Sequence, residues 1–161
     1  MTTAGSPAVL RCAFAHADAE RWGAAIPRRQ TAGAAGLDLH ACLQRPVTLA
    51  PGAAAPARVG TGLCLEIPPG HAGLVVPRSS AARSGLRLAN TVGVIDADYR
   101  GEVLLLVTLD PAAPAKLTIS PGDRIAQLLV VPVPALEIVA VPLAALTPTG
   151  RGAGGFGSTG G

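Results

Sequence analysis

Short apolar runs broken by Gly, Pro, Asp and Ser recur along the chain, and most of them alternate with a period that predicts β-strands. Residues 9–14 open as a first strand. Residues 19–35, with Pro27, Arg28 and Arg29 among small residues, read as an irregular connection. Residues 36–43 set Leu37, Leu39 and Ala41 against Asp38, His40 and Cys42, a half-buried strand pattern. Residues 46–49 form another short strand, turned by Pro51-Gly52. Residues 61–67 alternate Leu63, Leu65 and Ile67 with Cys64 and Glu66, and Pro68-Pro69-Gly70 then predicts a hairpin into residues 73–76. A second hairpin is predicted where residues 92–95 lead into a polar corner and residues 103–107 lead out. Residues 116–119 and 124–131 flank the turn Ser120-Pro121-Gly122-Asp123, and residues 136–141 read as a last strand interrupted at Pro142. The helix signal falls on residues 79–85, where Ser79 or Ser80 caps, Ala-Ala-Arg propagates and Gly85 stops. Roughly ten short strands with one short helix predict an all-β jelly roll or distorted β-barrel.

Composition narrows this picture. The 161 residues suit one domain with a real core, and 49% hydrophobic with 2% aromatic residues requires that core to be aliphatic. The 20 Gly and 15 Pro fall mostly between the apolar runs, as turns do in all-β chains. Residues 1–146 are read as the β-barrel domain. Residues 147–161, almost all Gly, Ser, Thr and Ala around Arg151 and Phe156, are read as a mobile C-terminal lid of that same domain.

A net charge of +3, carried mostly by scattered arginines without interleaved aromatics, argues against a nucleic-acid groove. Single arginines in Gly-rich loops fit a small polyphosphate better, because the guanidinium fork matches phosphate oxygens. Cys12, Cys42 and Cys64 are odd in number and widely spaced, which argues against a disulfide framework and a zinc site. The first residues lack a basic-then-apolar signal pattern, and no apolar run approaches the roughly 20 residues that span a bilayer. The expectation is a cytoplasmic protein with no membrane partner.

The candidate chemistry centres on Gly93-Val94-Ile95-Asp96-Ala97-Asp98-Tyr99-Arg100-Gly101-Glu102. Asp and Gly are ordinary turn residues, so this corner alone is not diagnostic. Four further stretches give it context: Ala35-Gly36-Leu37-Asp38-Leu39, Pro77-Arg78-Ser79-Ser80, Gly122-Asp123-Arg124-Ile125-Ala126-Gln127-Leu128, and the tail from Arg151-Gly152 through Gly154-Gly155-Phe156-Gly157-Ser158-Thr159-Gly160. Together, in this order and spacing, they resemble the trimeric deoxyuridine triphosphatase (dUTPase) family from about residue 30 to the end.

The resemblance implies a dUTPase-type jelly roll that assembles as a homotrimer. It also implies cleavage of dUTP to dUMP and pyrophosphate with Mg2+, which keeps uracil out of DNA and supplies dUMP for thymidylate synthesis. Asp96 matches the catalytic carboxylate that deprotonates the water attacking the α-phosphorus. Tyr99 matches the ring that packs on the deoxyribose, and its alternative is plain cross-strand packing. Backbone groups at Val94, Ile95, Asp96 and Leu104, with the Asn90 amide, match those that read the uracil edge. Arg78, Ser79 and Ser80 match a phosphate seat, although Ser80 can equally be a simple helix cap. Asp38 and Gln127 match positions that support the metal and phosphates through water. Asp123 and Arg124 are read as bracing the turn or a subunit interface. In the tail, Arg151 matches a γ-phosphate contact, Phe156 a ring over the uracil, and Gly157, Ser158 and Thr159 amide and hydroxyl donors. Asp110 stands where the resemblance leads us to expect an asparagine.

Two rivals remain. A dCTP deaminase resembles this fold and shares an Arg-Ser-Ser stretch, but its proton-shuttling glutamate would fall at Leu106. A catalytically silent nucleotide-binding regulatory module is the alternative of another class, and an altered Asp96 or a lost tail would have signalled it.

Overall fold

The fold is that of a computed structural model, which describes residues 8–154. Ten strands, one short helix and one 3-10 turn follow in chain order: β1 (Arg11–Phe14), β2 (Leu37–His40), β3 (Val47–Leu49), β4 (Ala57–Glu66), β5 (His71–Pro77), α1 (Ala81–Ser84), β6 (Leu86–Leu88), β7 (Gly93–Ile95), β8 (Glu102–Leu109), β9 (Leu117–Ile119), β10 (Arg124–Pro132) and the turn at Leu143–Ala145. One sheet has the order β1-β4-β8-β6, a second the order β2-β10-β5-β7, and β3 pairs with β9; every ladder is antiparallel. The expected all-β architecture is borne out.

Between the sheets lies an aliphatic core that includes Leu39, Val59, Leu63, Leu65, Ile67, Val107, Leu109, Ile119 and Leu128. Each such side chain contributes about 1.5–3 kcal/mol when taken out of water. Gly73 permits the tightest approach there, since a Cβ would stand 2.8 Å from Ile67 Cδ1.

Both predicted hairpins are corrected. β4 pairs with β1 and β8, whereas β5 pairs with β10 and β7, so Pro68-Pro69-Gly70 carries the chain from one sheet to the other. Pro68 and Pro69 offer no N–H donors with which a ladder could continue through the turn. The polar corner behaves the same way: β7 belongs to the second sheet and β8 to the first. Each strand has an apolar face to bury, and a crossing between layers lets both faces meet in one core.

The alternation predicted for β2 also fails at Asp38, which is 1% exposed beside the equally buried Leu39. Leu39 faces the core, while the opposite side of β2 is covered by arginine and glutamine side chains. The last predicted strand is absent. Residues 133–142 have no regular structure, and Leu136, Ile138 and Val139 are 78%, 94% and 65% exposed. In this single chain no described strand pairs with that segment. Finally, α1 begins after Ser80 and ends at the left-handed Gly85 (φ 74°), but Ser80 makes no capping hydrogen bond through its side chain.

Candidate active site

The corner between β7 and β8 closes with a hydrogen bond from the Tyr99 amide to the Asp96 carbonyl (3.2 Å), and Arg100 Nη1 clamps it by donating to the carbonyls of Ala97 and Tyr99 at 2.7 and 2.9 Å. The Tyr99 ring folds back so that its hydroxyl donates to the Glu102 carbonyl over 3.1 Å. This is possible because residue 101 is glycine; a Cβ there would lie 2.7 Å from Tyr99 Cζ.

Because the corner crosses between sheets, it opens a cavity of about 240 Å3. Asn90, Val94, Ile95, Asp96, Tyr99 and Leu104 line it together, above a floor of Val75, Leu88, Val103 and Leu105. The sequence-predicted nucleoside residues are thus brought to one place. β7 is an edge strand, so its outer N–H and C=O groups lie free of the described ladders. Glu102 also lines the cavity and was not anticipated as a member of it. Its Oε1 accepts the Gly62 amide at 2.8 Å, bracing the irregular stretch of β4 between Gly60 and Cys64. Leu106, 41% exposed, does not line the cavity.

A second cluster forms around Asp38. Its Oδ1 accepts Arg78 Nε at 3.1 Å and Gln127 Nε2 at 3.0 Å, and its Oδ2 accepts Arg124 Nη1 at 3.3 Å. Gln127 reaches it because β10 pairs with β2 and Gly36 leaves the space, a Cβ there being 3.0 Å from Gln127 Cδ. Burial pushes the Asp38 carboxyl up, but the Gln127 hydrogen bond and the Arg78 and Arg124 charges outweigh it and hold the group below the usual carboxylate range. Arg78 Nη1 also donates to Ser80 Oγ (3.3 Å) and to the Arg124 carbonyl (3.2 Å). Arg124 therefore belongs to this cluster, a role beyond the bracing expected of it. Asp123 does brace its turn, accepting the Ser120 amide at 2.7 Å.

Arg78 and Ser79 line a neighbouring cavity of about 400 Å3 with Arg87, Leu88, Thr91 and Asp110. Asp110 pairs with Arg87 and accepts the Ala112 amide at 2.9 Å, so the acid both starts its loop and neutralises a cation on that cavity wall. Leu88 lines this cavity and the corner cavity alike. Arg151 stands apart from both, its Nε donating to the Gly154 carbonyl of the same tail at 2.7 Å. Phe156, Gly157, Ser158 and Thr159 lie outside the described residues. Among the described residues, no three His, Cys, Asp or Glu side chains gather to hold a metal.

Comparison with known proteins decides the family. A family model described as dUTPase matches residues 23–160. The chain belongs to the dUTPase family. The deoxyuridine 5'-triphosphate nucleotidohydrolase of Anaeromyxobacter sp. (strain Fw109-5) is 52% identical over 136 residues, covering 84% of this chain and 87% of that protein. The protein of the same name from Rhizobium meliloti (strain 1021) is 47% identical over 142 residues, covering 86% and 84%. Among solved structures, the Staphylococcus bacteriophage 80alpha dUTPase with dUPNHPP superposes with a TM-score of 0.80 at 25% identity, covering 94% of this chain and 98% of that one. Among the described residues quoted for the resemblance, Val94, Ile95, Asp96 and Tyr99 line the corner cavity, Asp38, Arg78, Ser80, Arg124 and Gln127 form the Asp38 cluster, and Ser79 lines the neighbouring cavity.

Proposed function

We propose that this chain hydrolyses dUTP to dUMP and pyrophosphate. The observation that carries the reading is the convergence of Asn90, Val94, Ile95, Asp96, Tyr99 and Leu104 on one cavity of a dUTPase-family chain. At about 240 Å3 the cavity falls below the ~300–1,000 Å3 usual for pockets that enclose a whole ligand, which suits the base and sugar and leaves the triphosphate to other groups.

In this reading the free main-chain edge of β7, the Leu104 backbone and the Asn90 amide meet the uracil, and the Tyr99 ring packs on the deoxyribose where a 2'-hydroxyl would crowd it. Asp96, at the mouth, accepts the proton of a water whose oxygen bonds to the α-phosphorus. The bond from that phosphorus to the oxygen bridging to the β-phosphate breaks, and pyrophosphate leaves. Alignment of the water against the carboxylate supplies much of the acceleration. Arg78, Ser79, Ser80 and Gln127 take the phosphates. Arg151, Phe156, Gly157 and Ser158 close over the nucleotide and exclude water.

Mg2+ belongs to the proposal as the partner of the triphosphate, whose charge it neutralises when bound. The residues present fit water-mediated support rather than a protein cage. Asp38 has about four lone-pair sites and accepts three N–H bonds, which leaves Oδ2 with unused acceptor capacity.

We also infer a homotrimer. The corner cavity and the Arg78 cluster occupy different parts of one chain, and residues 133–146 present Leu136, Ile138 and Leu143 at 78%, 94% and 85% exposure. An apolar segment that its own chain leaves uncovered fits burial against another subunit. No described helix is long and apolar enough to cross a membrane. The free thiols of Cys12, Cys42 and Cys64 fit a reducing cytoplasm.

Phosphorus NMR after incubation with Mg2+ and dUTP, dCTP, dTTP or UTP tests the reading. Pyrophosphate from dUTP alone is expected. Orthophosphate would move the attack to the γ-phosphorus, and no turnover of any nucleotide would favour the silent binding module.

A further inference from the structure

Thr91 is the one residue other than glycine with positive φ among the described residues, at 61°. A β-branched side chain is especially unfavourable there, because Cγ2 and Oγ1 crowd the following carbonyl. Two hydrogen bonds hold it in place. The Thr91 amide donates to the Leu88 carbonyl at 3.0 Å, and the Val92 amide donates to the Asn90 carbonyl at 2.6 Å. The second bond spans only three residues and makes Thr91 the centre of a γ-turn, of the rare hand that requires positive φ.

The position of this turn gives it a consequence for the site. It lies in the connection from β6 to β7, where the chain leaves one sheet for the other. Thr91 lines the cavity of Arg78 and Asp110, whereas its neighbour Asn90 lines the corner cavity with Gly93 and Val94. The Asn90 amide rests over Gly93, Nδ2 lying 3.4 Å from the point where a Cβ on Gly93 would stand. The turn therefore sets the spacing between the Asn90 amide on the rim and the β7 main chain on the wall.

We propose that the strained turn at Thr91 is a positioning device that holds Asn90 in register with β7 and thereby sets the preference for uracil over cytosine. The inference rests on the proposed dUTP hydrolysis. Uracil presents an acceptor at O4 and a donor at N3, and cytosine presents the reverse, a donor at N4 and an acceptor at N3. An Asn amide carries both a donor and an acceptor, so a loosely held one satisfies either base. Discrimination requires the amide to stand at one fixed distance from the main-chain groups that read the same edge. Backbone strain of this kind persists where the surroundings over-determine it, commonly at ligand sites.

The test compares kcat/KM for dUTP and dCTP, together with Tm, in Thr91→Gly and Thr91→Pro. Glycine adopts φ near 60° freely, so Thr91→Gly is expected to raise Tm and to keep the dUTP preference within about twofold. Proline forbids positive φ, so Thr91→Pro is expected to lower the preference about tenfold, chiefly through a higher KM for dUTP. A merely structural turn would move Tm and leave the ratio alone. Should the proline variant fail to fold, Thr91→Gly combined with Val92→Gly loosens the turn without a clash, and its ratio is expected to fall about fivefold. A lower Tm in Thr91→Gly, or an unchanged ratio in a folded Thr91→Pro or double-glycine variant, overturns the inference. A wild-type chain that releases no pyrophosphate from dUTP overturns instead the function beneath it.

Discussion

Arg78 Nε lies 3.1 Å from Asp38 Oδ1, and the carboxylate it meets is 1% exposed. The pair joins Arg78, the residue after β5, to Asp38 in β2, 40 positions away in sequence. Gln127 and Arg124 complete the cage, so a cluster read from the sequence as separate phosphate and metal contacts is one hydrogen-bonded unit. Arg78 is thus held in a single direction before any ligand arrives, which lowers the entropic cost of binding a phosphate.

Asp38→Asn is expected to cost about 2–4 kcal/mol of stability, because it leaves two guanidinium groups without their buried counter-charge. KM for dUTP should rise as Arg78 loosens. Urea denaturation alongside steady-state kinetics checks both, and a variant with wild-type stability would show the cage to be dispensable.

Acid should act through the same group. The folded-state pKa of Asp38 is depressed, and that of Asp110 is too, through the Ala112 amide and then the Arg87 side chain. A depressed carboxylate contributes stability that is present above the unfolded pKa, near 3.9, and is lost as pH falls through the folded value. Tm followed from pH 6 downward is therefore expected to drop below about pH 4, and less steeply in Asp38→Asn. A Tm equally steep in both would assign acid sensitivity to other groups.

Asp96→Asn should reduce kcat about 10²–10⁴-fold while dUTP still binds. Pyrophosphate release measures the first and calorimetry the second. Turnover near that of the wild type would remove Asp96 as the base.

Gly101→Ala should displace the Tyr99 ring, since the new Cβ would overlap it and the hydroxyl would lose the Glu102 carbonyl. The expected result is a preference for dUTP over UTP reduced about tenfold, matched by Tyr99→Ala. Should Gly101→Ala leave that ratio intact, the ring would not be the sugar platform.

Most strand positions, the short helix α1 and the aliphatic core were legible in the sequence because they depend on neighbours one to four residues away, but the three-residue β6 (Leu86–Leu88) was not anticipated. Leu63, Leu65 and Ile67 alternate with a period of two wherever they are placed. Pairing was not legible. Residues 61–67 and 73–76 look like two arms of a hairpin, yet each finds its partner in a different sheet, and nothing local distinguishes a turn within a layer from one that changes layers. Residues 136–141 carry a strand pattern, yet no described strand pairs with them.

The candidate site divides along the same line. The chain itself determined which functional groups are on offer, because a carboxylate, a phenol and a guanidinium are fixed by residue type whatever the fold. Tertiary structure alone decided that Asp38 is buried against Arg78, Arg124 and Gln127, that Glu102 is spent on Gly62, and that Thr91 is bent into positive φ between two cavities. These are relations between segments tens of residues apart or between a backbone and its surroundings, and their energies exist only once both sheets have closed on one core.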